Sequence, residues 1–445
     1  MHRDFIDQLL CPFCGGSLVF KEVIEKQGDE ILNGCAGCRC REFPILEGIL
    51  IIRDYVLNPF LIQAIRKGRI KEAVGLLCLP NRERVFNLIR LLQARGTLPR
   101  LLGDLISVFL KEKAHRIYDR YSKKGISFFE LLGDDLFSVY LKHRFSAHTI
   151  WSAYPFIPIL KERKGAILDF GCGAGHLSYI LSTQVEPDCL VSVDYDFSLI
   201  YLAKKYFAPR AEYICLDGNY PLPFRDNFFS SLISLDAVHC IKTHTVLARE
   251  MERILLPQGM LVLLHLHNIL QDNFSPNWPL TPTDWVGLFK EIPVRASPET
   301  SLIEDFLQRD LLDLIRQYSQ EELDNSDAIA LVGSRDPLVF QKVEQARQLF
   351  FNPHQPLIIN PLYTPQTNRE GVYWERKFPS ERFRQEYYLA EKYMPERVVL
   401  EEDLDGKING RTLNPPLTGF SKEEGRHIEK WMRRFVLIHA PEDYC

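Results

Sequence analysis

Short apolar runs of strand length recur at residues 166–170, 190–193, 212–216, 231–235 and 260–266, and the stretches between them space their apolar positions as helices do. Strands alternating with helices in this way predict a parallel α/β sheet. Downstream, 303–318 reads as a helix, 328–332 as a further strand and 422–435 as a helical patch. Upstream, Val85, Leu88, Ile89 and Leu92 follow Pro80 and a candidate cap at Asn81 with i, i+3, i+4, i+7 spacing, and Gly96 stands beyond the end. That pattern predicts one helix, and a second begins near Leu101. Residues 5–54 read differently: a short helix, a Cys-x-x-Cys turn, a strand over 18–23 and a second Cys-x-x-Cys, closed by a linker at Asn58-Pro59.

A chain of 445 residues is too long for one core. The pattern divides it into an N-terminal unit (1–54), a helical segment (55–150), the α/β unit (151–336) and a C-terminal extension (337–445). With 46% hydrophobic and 25% charged residues it has a globular composition, which excludes wholesale disorder and a collagen-like repeat. Arg3, Asp4 and Asp7 interrupt the first ten residues, so these do not read as a signal peptide. No window reaches the roughly 18 apolar residues of a membrane span. The nearest, 150–160, contains Pro155 and Pro158. The expectation is a cytoplasmic protein with no membrane partner.

The net charge of −4 conceals an asymmetry. Residues 63–124 hold fifteen Lys or Arg against five acids, a net +10, which leaves −14 for the rest. A basic face of this kind attracts RNA phosphates through counterion release. It serves equally well to contact acidic surface within the same chain, and no aromatic-interleaved RNA motif accompanies it.

Five of the eleven cysteines fall between Cys11 and Cys40. Cys11-Pro-Phe-Cys14-Gly-Gly and Cys35-Ala-Gly-Cys38 supply two thiol pairs, and four sulfurs close a tetrahedral zinc shell. Cys11, Cys14, Cys35 and Cys38 are therefore the candidate ligands. Cys40 is a fifth sulfur that can replace Cys38. A thiol redox role is the alternative, but that motif opens a helix, and here a glycine pair and a strand follow. The unit resembles the small zinc-ribbon activator that partners tRNA, rRNA and release-factor methyltransferases. Leu9-Leu10-Cys-Pro-Phe-Cys-Gly-Gly-Ser-Leu and Glu42-Phe-Pro-Ile-Leu-Glu-Gly-Ile49 carry the likeness over about fifty residues, with Leu50 where that family usually has Pro. The resemblance implies a structural module that does no chemistry itself.

Ile167-Leu-Asp169-Phe-Gly171-Cys-Gly173-Ala-Gly175 places an acid and three glycines where a buried strand meets a helix, so backbone approaches a ligand there. His176 stands where a dinucleotide fingerprint would continue, which disfavours pyrophosphate. Asp194 ends the next strand, where a carboxylate accepts from both hydroxyls of a ribose. With Leu216-Asp217-Gly218, Leu222-Pro-Phe-x-Asp226 and Arg253-Ile-Leu-Leu-Pro-x-Gly259, residues 165–267 resemble the class I S-adenosylmethionine-dependent methyltransferases. The chain departs from that family at Ser230 and at Gln258-Gly259. The resemblance implies S-adenosyl-L-methionine as cofactor, with Asp169, Gly171, Gly173, Gly175, Asp194, Asp217 and Gly218 around it. The expected fold is thus a Rossmann-like class I methyltransferase sheet with an N-terminal zinc ribbon, a helical linker domain and a C-terminal extension.

Methyl transfer from a sulfonium is an in-line displacement, so catalysis is mainly alignment, with a base where the acceptor carries a proton. His239 and Asp236, just past the fourth strand, are the candidate catalytic residues; His265 and His267 stand close by at the end of the fifth. Cys240 lacks the context of a cytosine C5 nucleophile and reads as a small core residue. Asn414-Pro-Pro-Leu417 lies too far downstream to serve as the amino-methyltransferase motif it resembles. The leading expectation is methylation of O or N on a small metabolite, ahead of RNA methylation and of a non-catalytic cofactor-binding scaffold.

Overall fold

The computed structural model describes residues 1–53, 57–80, 84, 87, 91, 97–186, 189–273, 277–344, 356–369, 371–413 and 421–445. The expected helix carrying Val85, Leu88, Ile89 and Leu92, with its cap at Asn81, lies outside these residues, as does Asn414-Pro-Pro-Leu417.

One sheet of eleven strands runs through the N-terminal unit and the α/β unit. The first four strands are β1 (Val19–Gln27), β2 (Glu30–Gly37), β3 (Glu42–Leu46) and β4 (Ile49–Ile51). The next five are β5 (Ala166–Phe170), β6 (Leu190–Asp194), β7 (Glu212–Cys215), β8 (Phe229–Leu235) and β9 (Leu255–His267). β10 (Val294–Pro298) and β12 (Ala328–Gly333) complete it, while β11 (Leu311–Asp313) and β13 (Lys342–Glu344) form a separate two-stranded pair. The order is β1-β2-β3-β4-β7-β6-β5-β8-β9-β12-β10. From β4 to β9 every neighbour is parallel, and β12 and β10 are antiparallel additions. The parallel strands are buried on both faces, which explains their continuous apolar runs. Strand order reverses between β5 and β8, so the crevice beyond their carboxyl ends is where such a sheet binds a ligand.

The cysteine-bearing unit joins this sheet directly. β4 lies parallel to β7, with Ile49, Leu50 and Ile51 opposite Tyr213, Ile214 and Cys215. Ile6, Leu9, Leu18, Phe43 and Ile45 share one core with Leu168, Val191 and Ile214. The strand β7, otherwise an open edge, is thereby covered.

Three local expectations change. Asn58-Pro59 is not a linker but the start of the helix Asn58–Arg66, where proline fits because a first-turn N–H has no intrahelical partner. The expected helix at 303–318 instead spans Glu299–Arg309, because Asp310 turns left-handed (φ 54°) and Leu311–Asp313 pairs with β13. The first strand extends to Gln27.

The remaining material forms a second layer over the cofactor end. The helix Thr97–Tyr121 packs on Ile70–Leu77 so closely that a Cβ at Gly75 would fall 2.0 Å from the Ala114 carbonyl oxygen. The C-terminal part folds back onto the helical segment: Trp151 stacks on Phe435 at 3.9 Å, and Tyr444 stacks on Phe128 at 5.5 Å. The helix Lys422–Met432 opens with a capping box between Ser421 and Glu424. Among the described residues no helix is long and apolar enough to cross a membrane.

Candidate active site and cysteine cluster

The turn after β5 lines a cavity of about 300 Å³ at the switch point. Gly173 (φ 53°) has open space on the side where a Cβ would stand. Gly175 (φ 92°) precedes the helix His176–Ser182, and a Cβ there would fall 2.6 Å from that of Ala203. Only glycine satisfies both demands, one of backbone exposure and one of helix packing. Gly171, Asp169, Asp194 and Gly218 also line the cavity. Asp169 accepts a hydrogen bond from Ser178 Oγ at 2.6 Å, and burial, helped by the charge of Asp194, pushes its carboxyl up to about 7. Asp194 accepts the Gly173 and Asp196 amide N–H groups at 2.8 and 2.9 Å. Burial raises its carboxyl to about 6 against those two bonds. Asp217 is placed differently: Leu216 and Gly218 face the cavity, whereas its own carboxylate accepts the backbone N–H and side-chain Nδ2 of Asn219 at 2.9 and 2.8 Å.

Two contributors to this cavity carried no motif. Tyr195 lines it, and Arg53, two residues after β4, stacks its guanidinium over the Tyr195 ring while Nη1 donates to the Tyr195 carbonyl at 3.2 Å. Tyr140 and Arg144, from the helical segment, form its far wall. Tyr195 follows Asp194 directly in the chain, and only tertiary pairing brings Arg53, Tyr140 and Arg144 to the site.

Beyond Asp236 a second cavity of about 340 Å³ adjoins the first. Phe137, Tyr140, Asp236 and Cys240 border both. His239 and His267 line its floor, and Ser380, Arg382, Phe383, Glu386 and Tyr387 of the C-terminal extension line its other side. Asp236 (φ 62°) and His265 (φ 54°) are both held in the left-handed region at strand ends, strain that the surrounding packing sustains. Asp236 Oδ2 accepts the Tyr140 hydroxyl at 3.0 Å and lies 3.3 Å from Arg144 Nη2. Its other oxygen, Oδ1, faces the Nε2 atoms of His267, His239 and His265 at 3.7, 3.8 and 4.0 Å. Burial alone would raise this carboxyl, but His265 and Arg144, then His239 and His267, outweigh it and hold it near 2. Burial lowers His239 to about 3 and keeps it neutral. His265 goes the other way, to about 9, because Glu299, 2.5 Å from Nδ1, and Asp236 overcome its burial.

In the N-terminal unit the sulfurs of Cys11, Cys14, Cys38 and Cys40 gather within 4.8 Å of one another. Cys11–Cys40, Cys14–Cys38 and Cys38–Cys40 are 3.6, 3.5 and 3.2 Å apart. Thiolates about 2.3 Å from a tetrahedral zinc stand about 3.8 Å from each other, so this donor set fits that ion. Cys35, expected as a ligand, is not in the cluster. β2 continues through Gly37, leaving Cys35 in mid-strand opposite Glu22 and Pro44, where burial raises its thiol to about 11. The turn comes at Cys38–Arg41, with Cys38 N–H donating to the Arg41 carbonyl. Cys40, weighed from sequence only as a replacement for Cys38, takes the place of Cys35.

Comparison with known proteins agrees with this geometry. Residues 168–263 match the family model described as a methyltransferase domain. Over 160 residues the chain is 28% identical to the demethylmenaquinone methyltransferase of Staphylococcus aureus, an alignment that takes in 35% of this chain and 60% of that enzyme. Among solved structures, it is similar to the TehB-like S-adenosylmethionine-dependent methyltransferase of Corynebacterium glutamicum (18% identity, 42% of this chain and 88% of that one, TM-score 0.30). It is also similar to phosphoethanolamine N-methyltransferase 2 of Haemonchus contortus (16%, 42% and 56%, TM-score 0.29). The chain carries a class I S-adenosylmethionine-dependent methyltransferase domain.

Proposed function

We propose that this protein transfers a methyl group from S-adenosylmethionine to an oxygen or nitrogen of a small metabolite held in the second cavity. The observation that carries the reading is the cavity beyond Asp236, which adjoins the cofactor cavity and is walled by the C-terminal extension. Its size, about 340 Å³, suits a small molecule rather than a polynucleotide.

S-adenosylmethionine supplies an electrophilic methyl on a sulfonium, and the residues of this chain do the rest. In this reading Asp194 takes the ribose hydroxyls, and Asp169, Gly171 and Gly173 line the remainder of the cofactor cavity. Tyr140 and Arg144 fix Asp236 at the junction. His239 is neutral and lines the second cavity, so Nε2 can accept a hydrogen bond from the acceptor and orient it, while its burial makes it too weak a base to keep a proton. The cysteine cluster holds a structural zinc and takes no part in the chemistry.

The basic segment supports the same reading over RNA. Arg66 reaches Glu22 and Glu42 at 2.8 Å, Arg69 and Lys111 pair with Glu72, and Lys71 lies 3.5 Å from Asp119. Glu72 and Asp119 are among the five acids already counted in the net +10, so of these pairs only those of Arg66 commit the segment's charge elsewhere in the chain. Incubation with methyl-labelled S-adenosylmethionine and a fractionated cell extract tests the proposal. Label is expected in molecules below about 1 kDa; label found in RNA, and abolished by ribonuclease, would overturn it.

A further inference from the structure

The groups around Asp236 are more elaborate than orienting an acceptor requires. Three imidazole Nε2 atoms converge on the single oxygen Asp236 Oδ1, at 3.7, 3.8 and 4.0 Å. These separations exceed hydrogen-bond reach. They exceed by only a few tenths of an ångström the roughly 3.4 Å that separates two ligands on a tetrahedral ion with bonds of about 2.1 Å. The donors of Asp236, His265 and His267 also lie mutually within 4.8 Å, so a small contraction brings all three onto one centre.

The partners of these side chains are those of a ligand set. Tyr140 and Arg144 occupy Oδ2 of Asp236, which leaves Oδ1 turned inward. Glu299 binds His265 at Nδ1, so Nε2 is the atom presented, the arrangement by which a carboxylate orients a metal-binding imidazole. Glu299 Oε1 is buried without a hydrogen-bond partner, and the two carboxylates offset the charge of Arg144 and half that of a divalent ion. His239 stacks face to face on His267 at 3.8 Å and sets its ring plane.

We infer that Asp236, His265 and His267 form a binding site for a divalent first-row transition metal at the acceptor end of the methyl-transfer cavity. Two imidazoles and one carboxylate select zinc, iron, cobalt or nickel over magnesium or calcium. Asp236 and His267 line the acceptor cavity, so the remaining coordination positions open onto it. The acceptor class that suits this site is a small chelating molecule with two adjacent oxygen or nitrogen donors. This inference rests on the acceptor cavity proposed above, but the ion itself is measurable without turnover.

The test is equilibrium dialysis of the full chain, loaded with one equivalent of zinc for the cysteine cluster and freed of any excess, against cobalt(II) chloride. One cobalt per chain is expected, without the strong near-ultraviolet thiolate charge-transfer band that would place it on sulfur. Asp236→Asn and His267→Gln should each weaken uptake at least tenfold, and the milder Glu299→Gln about 10- to 100-fold. Circular dichroism on the same samples reports whether each variant is folded, and calorimetry whether the wild-type chain binds S-adenosylmethionine. Cofactor binding without cobalt uptake, or uptake unchanged in folded Asp236→Asn and His267→Gln, overturns the ion site and leaves methyl transfer standing. Cobalt uptake by a wild-type chain that binds no S-adenosylmethionine supports the ion site and overturns the methyl-transfer reading.

Discussion

The guanidinium of Arg53 lies 3.1 Å from the centroid of the Tyr195 ring, linking the end of the cysteine-bearing unit to the wall of the cofactor cavity. Arg53 is held there from behind: its amide N–H donates to the Cys215 carbonyl, and its own carbonyl accepts from Asn58 Nδ2. Pairing of β4 with β7 therefore sets the position of a ring that lines the cavity beyond β5. Arg53→Ala removes a cation–π contact worth about 0.5–2 kcal/mol. The expected result is a Kd for S-adenosylmethionine several-fold higher by calorimetry, with metal content unchanged.

The cysteine cluster makes an opposite pair of predictions for two neighbouring thiols. Cys40→Ser should lose the bound zinc by elemental analysis and lower the Tm, because a structural zinc site contributes folding free energy directly. Cys35→Ser should keep the full zinc content. Retention of zinc by Cys40→Ser together with its loss from Cys35→Ser would restore the ligand set expected from sequence spacing.

Asp169 makes stability depend on pH in a particular direction. Burial disfavours the charge and pushes its folded carboxyl up from the ordinary 3.8 to about 7. Between these values the folded chain keeps a proton that the unfolded chain has released. The stabilisation from this group is complete below about 3.8 and is lost as pH rises through about 7. Asp169→Asn keeps an acceptor for Ser178 without the charge. Relative to wild type it should gain stability between pH 4 and pH 8, by roughly 4 kcal/mol at most. Denaturant titrations of both proteins at the two pH values measure the difference; a constant offset would refute it.

The two acids carried over from the family resemblance should separate. Asp194 lines the cofactor cavity and Asp217 does not, its carboxylate being engaged by Asn219. Asp194→Ala is expected to abolish measurable S-adenosylmethionine binding, and Asp217→Ala to reduce it less than tenfold, both read by calorimetry. Equal losses would place Asp217 at the cofactor.

The central sheet was legible from residues 166–170 through 260–266 because strands buried on both faces advertise themselves as apolar runs, and the glycine loop because its backbone conformation admits few other residues. The ligand set of the cysteine cluster was not. Two equal spacings, Cys11/Cys14 and Cys35/Cys38, suggested two equal turns, but a strand pairing on both sides through Gly37 overrides local spacing, and the turn forms one Cys-x-Cys later. The acceptor cavity was invisible for a different reason. Tyr140, Asp236, His267 and Tyr387 come from four distant stretches, and no local pattern marks residues that meet only across a fold.

The seat of Tyr444 bears on the order in which the molecule is finished. Its hydroxyl donates to the Lys142 carbonyl across 302 residues of chain, its ring lies flat on Phe128, and its carbonyl accepts the Phe129 amide. A contact this distant in sequence forms late in refolding, after the local helices and the neighbouring strands. Phe128 is covered on its other sides by His176, Tyr206 and Phe207, so Tyr444 adds the last face of an aromatic cluster already assembled. Removing that ring would loosen the seam between the C-terminal extension and the helical segment and leave the eleven-stranded sheet in place.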